Sequence, residues 1–293
     1  MSPERSVQNL VAQRRAAGKA QEAGKDGLAI SGTSAQSSYQ LLREHLAYLG
    51  MTAAAEQLAQ ELDRAQAEGS SPTQVLERLL AIQAQDTRER RQRGRLRFAH
   101  YPVHKRLADF DFDFQPHLDR KVVAELSTLR FVEEHRNVLL LGPPGVGKSH
   151  LAIGLGVAAT EAGYRTLFTS ATEMVANLQA AQLEGTASYK MRGYVGPSVL
   201  VIDELGYLPL DQASANWIFQ VVSRRYERGS IVLTSNRGFA DWNQVFADPV
   251  VAAAIVDRLL HNATVLNIRG ASYRMRHYEA LQKNPRGGGG MVA

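Results

Sequence analysis

The sequence predicts an α/β domain with a five-stranded parallel sheet, preceded by a small all-helical bundle. Three observations carry this. From residue 137 onward, short apolar runs alternate with longer helical stretches, the pattern of strands joined by crossover helices. The first run, Asn137-Val138-Leu139-Leu140-Leu141, leads directly into Gly142-Pro143-Pro144-Gly145-Val146-Gly147-Lys148-Ser149, a glycine-rich turn of the kind that joins a strand to a helix around a phosphate. Upstream, residues 38–98 carry leucines at helical spacing.

The chain of 293 residues suffices for one large domain and one small one. It has no cysteine, so no disulfide framework and no thiolate zinc site. No apolar run approaches the roughly 18 residues that span a bilayer, and the polar stretch Met1 to Ala20 lacks the apolar core of a secretory signal. A soluble, cytoplasmic protein with no membrane partner is expected. Residues 1–37, rich in Ala, Gly, Gln and Ser, are expected to be a disordered tail. A second loose tail is expected at 284–293, around Gly287-Gly288-Gly289-Gly290.

In the 38–98 bundle, Leu41, Leu42, Leu46 and Leu49 fit one apolar helical face that stops at Gly50. Thr52 is placed to cap a second helix with Leu58 and Leu62 inside. Gly69-Ser70-Ser71-Pro72 reads as a turn, with proline in the first turn of a third helix. That helix runs from Thr73 through Leu76, Leu79, Leu80 and Ile82 into an arginine-rich stretch. From Arg88 to Arg106 there are eight Lys/Arg against one acid, Glu89. A charge run is ordinarily a solvated helix face. Here acids at i,i+4 spacing are nearly absent, and the planar arginine fork matches phosphate geometry. Arg88, Arg90, Arg91, Arg93, Arg95 and Arg97 are therefore candidate DNA contacts, and the bundle a DNA- or partner-binding unit.

Residues 99–136 link the bundle to the core. Phe110, Phe112 and Phe114 alternate with Asp109, Asp111 and Asp113. This reads as an extended segment laying one aromatic face on the core, in preference to a wall of the nucleotide site. Beyond it, strands are expected at 138–142, 165–170, 198–203, 231–236 and 264–269. Helices are expected at 149–162, 171–182, 212–228 and 249–261, and the active site at the carboxyl ends of the strands.

The residue types at those ends define the chemistry. Glycines let backbone N–H groups curl round phosphate oxygens with no Cβ in the way, and the following helix points its positive end at the same oxygens. Gly142, Pro143, Pro144, Gly145, Val146, Gly147, Lys148, Ser149 and His150 form the expected nucleotide loop. Lys148 brings a point charge to the β- and γ-phosphates, and Ser149 a hydroxyl to Mg²⁺. Val199-Leu200-Val201-Ile202-Asp203-Glu204 is an apolar strand ending in two acids. Alone, such a pair is as readily the start of a loop. Beside a phosphate loop, Asp203 is expected to hold Mg²⁺ through its water shell and Glu204 to polarise the attacking water. Asn236 ends another apolar strand, where it can bond that water or the γ-phosphate. Arg258 and Arg274 are candidate cations for the charge that develops on the γ-phosphoryl group, though spacing alone does not say which does what. The chain holds no Asn-Lys-x-Asp guanine-reading motif, so ATP with Mg²⁺ is expected rather than GTP.

With these residues in place, the chain resembles the IstB-like ATPases, transposition helpers of bacterial insertion sequences within the AAA+ ATPases, near the DnaC helicase loaders and DnaA initiators. The resemblance covers roughly residues 40 to 283. It rests on Leu140 to Ala152 around the phosphate loop, on Val201-Ile202-Asp203-Glu204-Leu205-Gly206-Tyr207, on Leu233-Thr234-Ser235-Asn236, and on Asp109 to Gln115. It implies an AAA+ ATPase domain over 137–283, with Asn236 as first sensor and Arg274 as second sensor within its own subunit. It implies that Arg258 is a finger reaching a neighbouring subunit's site, hence a homo-oligomer with ATP at its interfaces. It further implies assembly on double-stranded DNA, recruitment of a transposase, and disassembly on hydrolysis. A DnaC-like helicase loader shares the whole ATPase core and is the alternative. A nucleotide-gated DNA scaffold without turnover is a third reading, against which the Asp203-Glu204 pair argues. The tail 1–37 lies outside the family pattern.

Overall fold

Five apolar segments pair side by side into one parallel sheet, and their order decides where a ligand can sit. The computed structural model is described over residues 32–276, with side chains from residue 38 onward. Residues 1–31 and 277–293, including most of the expected N-terminal tail and all of the C-terminal one, lie outside the described residues. The chain divides into two compact units between Asp86 and Thr87.

The first unit holds α1 (Gly32–Tyr48), α2 (Thr52–Glu68) and the first half of α3 (Pro72–Ala99). Helix α1 begins inside the stretch expected to be a disordered tail. Pro72 stands at the first helical position of α3, where its missing N–H costs nothing. Ser71 and Gln74 cap that end reciprocally: Ser71 N–H donates to Gln74 Oε1 at 2.7 Å, and Gln74 N–H to Ser71 Oγ at 3.4 Å. Thr52 does not cap α2; it is the first helical residue, and Met51 precedes it without a side-chain bond. The core is small: Ala54, Leu58 and Leu79, with Leu46 and Val75 against them. Leu41, Leu42, Leu49, Leu62, Leu76 and Leu80 remain exposed, so the leucine stripe is wider than the core that the three helices make.

The second unit starts within α3, at Thr87, and carries the arginines. Two short helices follow, α4 (Arg120–Ser127) and α5 (Arg130–Glu133). Then come β1 (Asn137–Leu141), α6 (Lys148–Glu161), β2 (Thr166–Ser170), α7 (Ala171–Leu183), α8 (Ala187–Val195), β3 (Val199–Leu205), α9 (Gln212–Arg225), β4 (Ser230–Ser235), α10 (Trp242–Val245), α11 (Pro249–Leu260) and β5 (Ala263–Asn267). The five strands match the expected ones to within two residues at each end. Helix α8 was not expected.

The strand order is β2-β3-β4-β1-β5, all parallel. Side chains alternate between two cores, as strand geometry requires. Leu139, Leu200, Ile202 and Leu233 face the layer of α7 and α9, while Val138, Leu140, Val201 and Val232 face α6. Both faces are covered, which explains the nearly continuous apolar runs. Chain direction switches between β1, which leads out to β2, and β4, which leads to β5. A crevice opens at such a switch point, and β3, β4 and β1 are adjacent there.

One buried cation organises the far side. Arg225 is 1% exposed and donates to the carbonyls of Tyr194, Val195, Pro197, Ser198 and Ser230. It ties the end of α9 to the turn that enters β3 and to the start of β4. Burial lowers its pKa to about 10, still far above neutrality, so it stays charged. Among the described residues no helix is long and apolar enough to cross a membrane.

Candidate nucleotide site

The loop after β1 turns sharply because glycine allows it. Gly147 has φ +98°, and a Cβ there would sit 2.6 Å from Phe110 Cε2, so no other residue fits between the loop and that ring. Helix α6 then begins at Lys148 with its first N–H groups aimed back at the loop, an arrangement suited to anions. The helix is buried over most of its length from Leu151 to Thr160, which fixes its axis.

Around that helix end lies a cavity of about 380 Å³, within the usual range for small-molecule sites. Pro144, Gly145, Val146, Gly147, Lys148, Ser149 and His150 line it, together with Glu204, Asn236 and Arg274. Gly142 and Pro143 do not face it. Their carbonyls instead accept from Lys148 Nζ, at 2.7 and 2.8 Å. Burial lowers the Lys148 pKa; Asp203 opposes this and Arg274 adds to it.

The second motif is built by a bulge. The register of β3 on β4 shifts between Ile202 and Leu205, and Glu204 takes φ +62°, a backbone region that non-glycine residues seldom occupy. Thr234 holds this kink: its hydroxyl donates to Asp203 Oδ1 at 2.5 Å and accepts from Glu204 N–H at 2.9 Å. Ser149 Oγ donates to the same Asp203 oxygen at 3.0 Å. One carboxylate and one hydroxyl thus stand together as hard oxygen donors, the set Mg²⁺ takes when phosphates complete its shell. The buried Oδ1 of Asn236 has no hydrogen-bond partner, and such an atom calls for an explanation. It lies on the cavity wall, ready to accept from a water or ligand.

The structure brings together Lys148, Ser149, Asp203, Glu204, Asn236 and Arg274. It leaves Arg258 outside the cavity. Arg258 donates from Nη1 to Ala254 O in its own helix at 3.0 Å, and its guanidinium lies 4.8 Å from the centre of the Phe219 ring.

The reading of Asp109 to Phe114 as an extended segment is corrected. A 3₁₀ turn at Leu107–Asp109 leads into further turns, and Asp109, Phe110, Asp111 and Gln115 line the cavity. Phe110 packs edge-on to His150, with ring centres 5.4 Å apart. The residues before it follow α6 along its length. Arg95 Nε donates to Thr160 O at 3.4 Å, Tyr101 Oη bonds Thr160 Oγ1 at 2.9 Å, and His150 Nε2 lies 3.0 Å from Arg106 O. Burial raises the Tyr101 phenol to about 12, so it remains a neutral hydroxyl. Of the six arginines, Arg95 and the nearby buried Ala99 mark the side of α3 that packs on the core. At 100° per residue, Arg90, Arg93 and Arg97 fall on the opposite side, and all three are exposed.

Sequence reasoning missed Thr234, Gln115 and Tyr207 as site residues. Thr234 is a polar residue at a buried position of a central strand, and that was the available signal.

Residues 42–280 match the model of the IstB-like ATP binding proteins. The chain belongs to that family. A protein described as an ATP-binding protein of insertion sequence IS21, from Pseudomonas aeruginosa, is 51% identical to this IstB-like chain over 200 residues, covering 67% of this chain and 75% of that one. Its counterpart from insertion sequence IS5376 of Geobacillus stearothermophilus is 40% identical, covering 80% and 94%. Among solved structures, a DNA replication initiation factor superposes with a TM-score of 0.50 at 20% identity, over 63% of this chain and 55% of that one. The IstB-like chain has the P-loop AAA+ fold and belongs to an ATP-binding family.

Proposed function

We propose that this IstB-like protein is an ATP-hydrolysing, DNA-binding regulator of transposition. It assembles as a homo-oligomer on duplex target DNA, recruits or activates a transposase, and is dismantled by hydrolysis. The observation that carries this reading is the convergence of Lys148, Ser149, Asp203, Glu204, Asn236 and Arg274 at one crevice. A binding module needs the phosphate loop. It has no need of a strained glutamate held beside it.

Each residue has a physical task. Lys148 and the α6 N-terminus hold the β- and γ-phosphates. Ser149 and Asp203 would hold Mg²⁺, which when bound neutralises charge on the phosphates. Glu204 is the base for the attacking water, and Asn236 Oδ1 orients that water as an acceptor. Arg274 meets charge on the γ-phosphate. Arg258 does not line its own crevice and serves a neighbour's. Arg90, Arg93 and Arg97 offer DNA phosphates a row of forks on the exposed side of α3, while Arg88 and Arg91 fall on the side of Arg95.

Sedimentation with duplex and with single-stranded DNA, in ATP and in ADP, tests the reading. Large assemblies on duplex in ATP, lost in ADP, are expected. Preference for single strands, or assembly only with a helicase, would replace this reading with that of a DnaC-like loader.

A further inference from the structure

The stretch Gly270-Ala271-Ser272-Tyr273-Arg274-Met275-Arg276 carries a cavity arginine but little structure of its own. Its one regular piece is a 3₁₀ turn, Tyr273–Met275, and both of those residues are 45% exposed. A long side chain on so thin a support would lose much of its effect to disorder.

Four of its contacts fasten the stretch. Tyr273 N–H donates to Gly145 O in the phosphate loop at 2.9 Å. The other three come from the linker. Gln115 Nε2 donates to Ala271 O at 3.0 Å, Arg276 Nη1 donates to Asp111 Oδ2 at 3.1 Å, and Phe114 packs edge-on to Tyr273 with ring centres 5.1 Å apart. Gln115 is 2% exposed, and a buried amide is costly unless it is bonded. Its amide nitrogen bonds a carbonyl three residues before Arg274, while its buried Oε1 has no protein partner among the described residues. Gln115 and Asp111 also line the cavity.

We propose that Gln115, assisted by Asp111, is a positioning residue for Arg274. The linker segment 109–115 does two things at once: it walls the cavity and holds the carrier of the second-sensor arginine at a fixed distance from the phosphate loop. This rests on the reading of Arg274 as the cation that meets the γ-phosphate.

The test is titration calorimetry of the full chain with ADP and with a non-hydrolysable ATP analogue, in Mg²⁺. Arg274→Ala is expected to lower the analogue-to-ADP affinity ratio about tenfold, the loss of one charge-assisted bond. Gln115→Met is expected to lower the same ratio roughly three- to tenfold, with the analogue losing more affinity than ADP. In the Arg274→Ala background it should alter the ratio by less than about twofold, because the two act as a unit. Asp111→Asn, at a partly exposed site, gives a smaller shift of the same sign and stands in if Gln115→Met does not fold. A ratio lost in Arg274→Ala but kept in both linker variants overturns the positioning role alone. Equal loss of both nucleotides in the linker variants does the same, since that is mere structural damage. An unchanged ratio in Arg274→Ala overturns the reading of Arg274, and the positioning role with it.

Discussion

Thr234→Val is the most searching substitution at this site, because it removes one hydroxyl and leaves the shape of the side chain nearly intact. Thr234 is 1% exposed, so the methyl of valine opens no cavity. Two bonds disappear. The donation to the Asp203 carboxylate is a hydrogen bond to a charged group, about 1.5–3 kcal/mol. The Glu204 N–H loses its acceptor, at about 1–3 kcal/mol if nothing replaces it. Both involve the same oxygen and are not additive, so a loss of about 2–4 kcal/mol in unfolding free energy is expected. The catalytic effect should be larger than the binding effect. Glu204 sits at φ +62°, and without the anchor its backbone relaxes and the carboxylate leaves the water. At saturating ATP, kcat should fall about tenfold or more, within the range that general-base catalysis supplies, while ATP affinity changes less than about threefold. Urea unfolding, steady-state turnover and equilibrium binding together read all three quantities, and Thr234→Ser should restore most of the loss. Turnover within about twofold of the parent in a folded Thr234→Val protein would refute the argument that this hydroxyl sets the geometry of Glu204.

Lys148→Ala should abolish ATP-dependent retention on DNA, measured by co-sedimentation; retention equal to the parent's removes the phosphate-loop assignment. Glu204→Gln should bind ATP, hydrolyse poorly and persist on DNA, and mixing it with Arg258→Ala should recover activity, since a mixed interface pairs an intact Glu204 with an intact Arg258; no recovery in a mixed oligomer counts against a finger in trans. Replacing Arg90, Arg93 and Arg97 together by glutamine should reduce the slope of log affinity for DNA against log salt by about two to three, and an unaltered slope returns that face to solvent. Arg225→Met should destabilise the second unit by about 4 kcal/mol or more in urea, because five carbonyls lose their donor; a loss below about 1 kcal/mol means that water replaces it.

The strands were legible because both sheet faces are covered, which leaves runs such as Val199 to Ile202 apolar throughout. The phosphate loop and the Asp203-Glu204 pair were legible because their chemistry restricts residue type at fixed spacing. Helix α8 was not, since two buried side chains, Met191 and Tyr194, set no period in nine residues. The leucines of the first unit misled in the other direction. Their spacing fits one stripe, but three helices close over Leu46, Leu58 and Leu79 and leave the outer ones exposed. Asp109 to Phe114 alternates like a strand yet forms turns, because no neighbouring strand pairs with it and Asp111 Oδ1 instead accepts from Phe114 N–H at 3.0 Å. Contacts across 156 residues, such as Gln115 to Ala271, leave no local trace in a sequence.

The chain from Arg95 to Phe110 touches helix α6 at both ends, at Thr160 and at His150. Lys148 and Thr160 are separated by twelve residues of helix, about 18 Å. A rigid rod of that length, clamped to the arginine helix at one end and to the ATP loop at the other, carries displacement without amplification and without melting anything. Any displacement of the phosphate loop should therefore reach the arginine-bearing half of α3 as a tilt of one piece, with no change in the number of ordered residues.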